Sequence, residues 1–483
     1  MAGLDGESLE SLRALGHRML DDLFDRLEAQ GRGEGPAWQP TPPDVRLALL
    51  DEPLPAAPAD PSRLYDEIRE RIVPYGINNT HPRFMGWVHG GGTAVGMLAD
   101  MLSAGLNNNL GGRDHAPVLV ERTVVRWAAE MLGMPPNSGG ILVTGSSIAN
   151  MIAVLTARRR AAGPAVRVDG VDKRLVGYAG ATAHGCVARA FDMAGLGTAA
   201  LRVIPCDDRH RLRADLLAVR VAEDRAAGLI PFIVVGTAGA VDTGAVDDLD
   251  ALASFCAAEE LWFHVDGAFG ALAALSPRLH PLMAGLGRAD SVAFDFHKWA
   301  QVPYDAGCVL VRDAPSQAAA FAQSLAYLSR ADRGAAAGAP WPCDLGPDLS
   351  RGFRALKVWM TLRSFGTDGL GRMVDGCCAV ASHLAARVER EPMLELMAPV
   401  PLNIVCFRVT VPGRPDLDDL NEELVKDLHE SGIAVPSTTT VGGTRVIRAA
   451  IVNHRTGPED ADAMIDGLLA LLDRRLAGAR PLP

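Results

Sequence analysis

The chain has 483 residues, of which 48% are hydrophobic, so it can bury large cores and is long enough for two or three domains. Its formal net charge of −11 argues against a nucleic acid or an anionic membrane as partner, because both bind basic patches. No uninterrupted run of about 18 apolar residues occurs, so the sequence predicts no membrane-spanning helix.

The first residues and the cysteines bear on the cellular compartment. Residues 1–7 lack a basic region followed by an apolar core, so no secretory signal is predicted. The eight cysteines form no CxxC pair or regular framework, which favours reduced thiols over disulfides or a metal site. We therefore expect a cytoplasmic protein without a metal centre.

The N-terminal part is predicted to be helical but too thin to hold a core of its own. Leucine and methionine recur at helical spacing over residues 7–30. A stretch rich in proline and glycine runs from 31 to about 61, and a second amphipathic segment covers 62–73. We expect residues 1–80 to form a helical segment that packs on another surface, such as a partner subunit.

Residues 81–375 are predicted to form a large α/β domain. Short apolar runs alternate with helical segments, which is typical of a mostly parallel sheet covered by helices on both faces. Seven strands are predicted at 140–143, 174–178, 201–204, 231–236, 261–265, 291–294 and 307–312, and helices at 147–162, 185–194, 213–227 and 247–260 separate the first five. Ligands of such sheets bind beyond the carboxyl ends of the strands, so we expect the functional site there.

The last region, residues 376–483, is predicted to form a smaller α/β domain. Its expected helices lie near 376–390 and at 416–431 and 458–475, and its expected strands lie at 402–409 and 444–451.

Two apolar runs of the large domain lead to residues with complementary chemistry. One run ends at Asp266, and the run 291–294 leads to Lys298. A buried carboxylate and a buried lysine at neighbouring strand ends are what pyridoxal 5′-phosphate (PLP) requires. The lysine forms a Schiff base, and the carboxylate keeps the pyridine nitrogen protonated. The alternative is a structural Lys–Asp pair in the core.

Other candidate residues also follow predicted strands. Thr144 to Ser147 begin a helix, where free backbone N–H groups and the hydroxyls of Ser146 and Ser147 favour a phosphate site or an ordinary serine cap. His184 follows another strand, where an imidazole suits stacking on a planar ring or a place on the polar surface. His297, beside Lys298, suits a hydrogen bond to phosphate or simple packing.

The sequence resembles the group II PLP-dependent decarboxylases, a branch of the fold-type I PLP enzymes that includes aromatic amino acid and glutamate decarboxylases. The resemblance covers residue 60 to the C-terminus. The matching segments are His81–Phe84, Leu98–Leu102, Trp127–Met134, Thr144–Asn150, His184, Gly228–Val235, His264–Ala268, His297–Trp299 and Phe353–Trp359. It implies decarboxylation of an L-amino acid to the amine and carbon dioxide, by a homodimer with active sites at the subunit interface.

The resemblance also implies roles for single residues. Lys298 is the Schiff-base lysine, Asp266 the partner of the pyridine nitrogen and His184 the ring-stacking residue. Ala268 packs on the opposite face of the ring. The implied phosphate ligands are Ser146 and Ser147, with help from His297, and the implied substrate contacts are Arg448 for the α-carboxylate and Phe84, Trp87 and His89 for a side chain that is aromatic or bulky.

The sequence departs from the family pattern at two places. The segment 329–347, rich in glycine, alanine and proline, is predicted to be a mobile lid. Aromatic amino acid decarboxylases carry in this loop a tyrosine that protonates the substrate carbon, whereas residues 329–350 contain none and Trp341 lies near its place. Ala240 and Val241 stand where many relatives have threonine.

These departures keep other functions open. Relatives without the loop tyrosine convert amino acids to aldehydes with oxygen, and the same cofactor supports transamination and other PLP lyase reactions. A PLP-fold scaffold without activity is the non-enzymatic alternative. A Rossmann nucleotide-binding enzyme is disfavoured, because no GxGxxG motif stands at the first strand–helix turn.

Overall fold

The structure is a computed structural model that describes residues 9–323 and 330–478. Its N-terminal part is helical, as predicted. The helices are α1 (Leu9–Gly31), α2 (Pro43–Leu50), α3 (Pro61–Arg71), α4 (Ala94–Leu106) and α5 (Ala116–Met131). The sequence did not predict α2, α4 or α5. In the case of α2, the surrounding stretch is rich in proline and glycine, which masks the helix. Within the described residues, no helix is both long and apolar enough to cross a membrane.

A seven-stranded sheet forms the centre of the fold and confirms the predicted α/β class. Its strands are β1 (Gly139–Val143), β2 (Leu175–Gly180), β3 (Leu201–Ile204), β4 (Ile230–Thr237), β5 (Trp262–Asp266), β6 (Ser291–Asp295) and β7 (Gly307–Val311), in the order β1-β7-β6-β5-β4-β2-β3. Only β7 runs against its neighbours. The carboxyl ends of the other six strands therefore meet at one edge.

Helices cover both faces of this sheet, which explains why its strands are continuous apolar runs. They include α6 (Ser146–Ala162), α7 (Gly185–Met193), α8 (Ala214–Ala226), α9 (Leu249–Ala258) and α10 (Ala314–Phe321). Alternate strand residues enter two separate cores: Ile233 and Val235 pack with α6 and α7, whereas Val234 packs with α8 and α9. Asp266 and Asp295 stand at the ends of their strands, while the buried His264 in the middle of β5 is an exception.

The C-terminal part contains a second, four-stranded sheet. Its elements are α11 (Arg354–Arg390), β8 (Leu394–Leu396), β9 (Ile404–Val409), α12 (Leu417–Glu430), β10 (Ser437–Val441), β11 (Thr444–Ala450) and α13 (Pro458–Leu476), with strand order β10-β11-β9-β8. The helix expected near 376–390 is the second half of α11, which bends at Gly366 where φ is 67°. Since the expected boundary at 375 falls inside this helix, the division into 1–80, 81–375 and 376–483 stays a prediction.

The second half of the segment expected to be a lid is packed, whereas residues 331–335 are exposed. The side chain of Trp341 is only 1% exposed, and its indole N–H donates to the Ala337 carbonyl over 2.8 Å. The guanidinium groups of Arg113 and Arg330 lie 4.5 and 4.4 Å from its ring centroid. These contacts disfavour a mobile lid at Trp341 itself, while a lid over the rest of the segment stays a prediction. Residue 329 lies outside the described residues.

Candidate active site

The candidate site lies at the carboxyl ends of β4, β5 and β6. Asp266 ends β5, and its register partners are Thr237 at the end of β4 and Ala293 on β6. Asp295 ends β6, and Lys298 follows it by three residues. The fold therefore brings the predicted carboxylate and the predicted lysine to the same edge of the sheet.

A cavity of about 330 Å³ opens at this edge. It is lined by Trp87, Val88, His89, Ser146, His184, Thr237, Gly239, Val241, Asp266, Ala268, Phe269, His297, Lys298 and Tyr304. The walls thus combine ionisable groups from strand ends with aromatic rings, a composition typical of small-molecule sites.

Asp266 lines this cavity and is 4% exposed. Its Oδ1 accepts the Ala268 N–H over 3.2 Å, and its Oδ2 lies 3.7 Å from the Cys186 sulfur. Burial raises the pKa of Asp266, and the positive charge of Lys298 opposes that rise. A carboxylate with so few polar contacts is suited to a cationic partner from a ligand.

Lys298 forms an ion pair with the buried Asp295. Its Nζ lies 3.1 Å from Asp295 Oδ2, while Asp295 Oδ1 has no hydrogen-bond partner within the described residues. The neighbouring His297 accepts the Ala306 N–H at Nδ1 over 3.0 Å, and burial lowers the pKa of this histidine. His297 is thereby held neutral beside the lysine, with Nε2 carrying its proton.

His184 caps helix α7 at the cavity wall. Its Nδ1 accepts the backbone N–H of Cys186 over 3.2 Å, which fixes the ring orientation and leaves Nε2 free for a ligand. The role of helix cap explains why the imidazole stands at this strand–helix turn. A surface histidine without a cap would lack this fixed direction.

The expected phosphate site is the start of helix α6. Helix N-termini leave backbone N–H groups without intrahelical partners, and α6 is a full 17 residues long. Ser146 is buried and lines the cavity, whereas Ser147 is exposed and does not line it. A side chain on Gly307 would collide with Gly145, so the turn and β7 approach each other closely.

Aromatic rings form another part of the cavity wall. The His89 ring stacks on Phe84 at 5.7 Å and on Trp87 at 5.9 Å. Tyr304 lies 4.3 Å from the His297 ring and meets His89 edge-on at 5.9 Å. Phe84 supports this wall from behind without lining the cavity.

Backbone packing holds this aromatic wall against the lysine. A side chain on Gly90 would collide with the carbonyl oxygens of His297 and Lys298, so only glycine permits the approach. Tyr304 is fixed from the other side, because its carbonyl accepts the Lys357 ammonium over 3.1 Å. The wall and the lysine therefore keep a defined separation.

Arg448 lies behind the cavity and does not line it. Its Nε donates to the Val241 carbonyl over 2.7 Å and its Nη1 to the Trp87 carbonyl over 3.0 Å. Its Nη2 is buried with no hydrogen-bond partner within the described residues. The guanidinium thus supports two cavity-lining segments and retains one free donor.

The structure adds site residues that sequence reasoning missed. Tyr304 and Thr237 line the cavity, and the Thr237 hydroxyl is buried without a partner in the described part of the chain. Thr237 ends β4 as Asp266 ends β5, and this position at a strand end could have revealed it. No local sequence pattern marks Tyr304 as a site residue, because its contact with His297 depends on how the segment folds back.

The arrangement fits PLP. Asp266 offers a buried anion for a protonated ring nitrogen, Lys298 offers an amine and α6 offers a helix N-terminus for phosphate. His184 and Ala268 line the walls between these groups. The fold and the site together define a fold-type I PLP-dependent enzyme.

Comparisons with known proteins agree with this class. The pyridoxal-dependent decarboxylase conserved domain matches residues 43–410, so the chain belongs to this family. The aromatic-L-amino-acid decarboxylase of Bacillus atrophaeus is 30% identical over 463 residues, covering 94% of each chain. The phenylacetaldehyde synthase of Arabidopsis thaliana is 29% identical over 456 residues, covering 92% of each.

The fold is also that of solved relatives. A crystal structure of Oryza sativa TDC with PLP and tryptamine superposes with a TM-score of 0.86 at 24% identity, covering 96% of this chain and 98% of the other. Family membership makes PLP the cofactor and decarboxylation of an amino acid the reaction.

Proposed function

We propose that the protein converts an aromatic L-amino acid to the corresponding amine and carbon dioxide. The observation that carries this proposal is the wall of Trp87, His89 and Tyr304, aromatic rings that line the same cavity of about 330 Å³ as Lys298. Aromatic rings prefer offset-stacked and edge-to-face contacts of this kind. The aromatic-L-amino-acid decarboxylase of Bacillus atrophaeus, a relative by sequence, supports the same choice.

We assign the cofactor contacts as follows. When bound, PLP supplies the electron sink that accepts the electrons of the bond to the leaving carboxylate. Lys298 holds the cofactor covalently, and Asp266 keeps the ring nitrogen protonated. His184 and Ala268 hold the two faces of the ring, and Ser146, Ser147 and His297 bind the phosphate, Ser147 through its backbone N–H because its side chain is exposed.

The substrate contacts come from the aromatic wall and from Arg448. Trp87 and His89, supported by Phe84, bind the aromatic side chain, and Tyr304 closes its edge. Arg448 does not line the cavity, but its buried Nη2 has no partner within the described residues. We assign this donor to the substrate carboxylate, since a buried guanidinium N–H gains most from an anionic acceptor. Holding the side chain and the carboxylate together orients the bond that breaks.

The alternative product is an aldehyde. In that reaction an amino acid, oxygen and water give the aldehyde, carbon dioxide, ammonia and hydrogen peroxide, as the similarity to phenylacetaldehyde synthase suggests. The choice depends on a proton donor to the substrate carbon. His184 lines the cavity, and its Nε2 has no hydrogen-bond partner within the described residues. Tyr327 precedes the segment 329–347 in the sequence and lies outside the described residues, so it is a second donor to test.

A substrate panel with full product analysis tests the proposal. We expect the holoenzyme to release carbon dioxide and amine in equal amounts from L-phenylalanine, L-tyrosine or L-tryptophan, with no peroxide in air. Trp87→Ala should raise KM for that substrate about tenfold, because stacking on the wall is lost. Trp359→Ala removes a tryptophan that does not line the cavity and serves as the control.

Two other results would overturn this proposal. Turnover of L-glutamate with none of the aromatic amino acids would contradict the substrate class. Aldehyde and peroxide in air, absent under anaerobic conditions, would establish the oxidative reaction instead. If the wild type instead releases amine, comparing Tyr327→Phe with His184→Gln identifies the proton donor, because loss of the donor should shift product from amine to aldehyde.

We further propose that the protein is a homodimer with its active sites at the subunit interface. Helices α2 and α4 expose large apolar side chains: Leu47 is 59% exposed, Leu50 75%, Met101 54% and Leu106 58%. A second copy of the chain would cover them.

We also propose that the protein is cytoplasmic. The eight cysteines are all free, which suits a reducing cytoplasm.

Light scattering should give a mass about twice 51.0 kDa at micromolar concentration. Deleting residues 1–60 should expose apolar surface that the N-terminal helices cover in the dimer, and should therefore cause aggregation. A monomer of unchanged activity, or a soluble and active truncation, would contradict this proposal.

A further inference from the structure

A chain of buried hydrogen bonds ends at Asp266. It begins at Trp262 on β5, whose indole N–H donates to Ser291 Oγ over 2.8 Å. The Ser291 hydroxyl lies 2.8 Å from His264 Nδ1, and His264 Nε2 lies 2.7 Å from Asn150 Oδ1. All four side chains are at most 4% exposed.

The chain continues through a thiol. Asn150 Nδ2 donates to the Cys186 sulfur over 3.4 Å, and the Cys186 S–H donates to Asp266 Oδ2 over 3.7 Å. Asn150 also donates to the Ser146 carbonyl over 2.8 Å, at the helix start assigned to phosphate. The chain therefore links both ends of the cofactor site.

Every link has the same direction. The indole N–H of Trp262 can only donate, so the Ser291 hydroxyl is free to donate to His264 Nδ1. Burial lowers the pKa of His264 to about 4, so the ring is neutral. Asn150 Oδ1 can only accept, which places the single ring proton on Nε2; Nδ1 then accepts from the Ser291 hydroxyl and not from the Ser291 carbonyl 3.2 Å away, which is itself an acceptor. Hydrogen bonds that run one way polarise each other, and this chain delivers its positive end to Asp266.

We propose that Cys186 is a positioning residue, the last donor of a relay that holds Asp266 oriented and ionised toward the cofactor ring nitrogen. This inference rests on the proposed role of Asp266. Lys298, His184 and Asp295 also act on this carboxylate electrostatically, but its other hydrogen bond comes from the Ala268 backbone. Cys186 is therefore the one side chain that donates a hydrogen bond to Asp266 within the described residues.

The simplest alternative is that Cys186 only fills space in the core between α6 and α7. The protein offers a matched control in Cys256 on α9. Cys256 is 1% exposed and Cys186 is 4% exposed, but Cys256 takes no part in the hydrogen bonds that lead to Asp266. Cys186→Ala removes the donor, Cys186→Ser restores an O–H donor, and Cys256→Ala removes an equally buried sulfur elsewhere. Cys186→Val fills the space without a donor if the alanine variant folds poorly.

Two readouts separate the relay from packing. The first is the ¹⁵N chemical shift of the ring nitrogen in holoenzyme loaded with labelled PLP, and the second is the Kd of apoenzyme for PLP. In Cys186→Ala the shift should move toward that of an unprotonated ring and the Kd should rise about threefold to tenfold, the scale of one lost hydrogen bond. Cys186→Ser should lie within about twofold of wild type, and Cys256→Ala should match it.

A ring-nitrogen signal and Kd in Cys186→Ala equal to those of Cys256→Ala would overturn the relay. So would a serine variant that behaves like alanine, since then the donor is irrelevant. Asp266→Asn is measured alongside. If that variant leaves the ring signal unchanged, the assignment of Asp266 itself is wrong, a result distinct from failure of the relay alone.

Discussion

Replacing Lys298 with alanine is expected to lower kcat by about 10⁴-fold or more, because the chain loses the amine that holds the cofactor covalently. In the structure Lys298 is the lysine of the cavity, with Nζ 3.1 Å from Asp295. Steady-state release of carbon dioxide from the accepted amino acid measures the effect. The absorption band of the bound cofactor should also be lost or shifted, since free PLP absorbs differently.

The matched control is Lys173→Ala, which removes an exposed lysine outside the cavity. It should leave both the rate and the absorption band unchanged. Retention of substantial turnover in Lys298→Ala, with a normal cofactor band, would refute the assignment of this lysine.

Asp266→Asn is expected to retain PLP but to lose roughly 10²- to 10⁴-fold in kcat, on the scale of 3–5 kcal/mol for removing one partner of a buried charge pair. An amide cannot hold the ring proton as a carboxylate does, so the electron sink is weakened. The carboxylate is 4% exposed, and water cannot readily replace its charge.

The control for this variant is Asp224→Asn. Asp224 is 3% exposed, accepts a hydrogen bond from the Tyr178 hydroxyl and forms an ion pair with Arg202. It does not line the cavity. It should alter stability more than kcat. A near-normal rate in Asp266→Asn would mean that the ring nitrogen has another partner.

Much of the central sheet could be predicted from the sequence, because buried parallel strands are continuous apolar runs. The run ending at Asp266 and the run preceding Lys298 became β5 and β6, and the rule for open α/β sheets placed both residues at one edge. The family resemblance then supplied the PLP fold, which the structure and the comparisons confirm.

Other features depend on contacts between distant segments of the chain, and no local sequence pattern predicts them. Tyr304 reaches His89 only through the fold, and Cys186 reaches Asp266 across 80 residues. Trp341 lies in a stretch whose composition predicts a mobile loop, yet two guanidinium groups and a buried hydrogen bond hold it. The short strands β8 and β10 are defined by their pairing with longer neighbours rather than by their own sequence.

Mapping the lysine that carries the cofactor is the most direct test of the assignment of Lys298. The chain has only four lysines, Lys173, Lys298, Lys357 and Lys426, so a digest resolves them without ambiguity. Holoenzyme is reduced with borohydride, digested and analysed by mass spectrometry. We expect a pyridoxyl phosphate group on the peptide that contains Lys298 and on no other. A label on Lys173, Lys357 or Lys426, or no label in protein that turns over substrate, would contradict it.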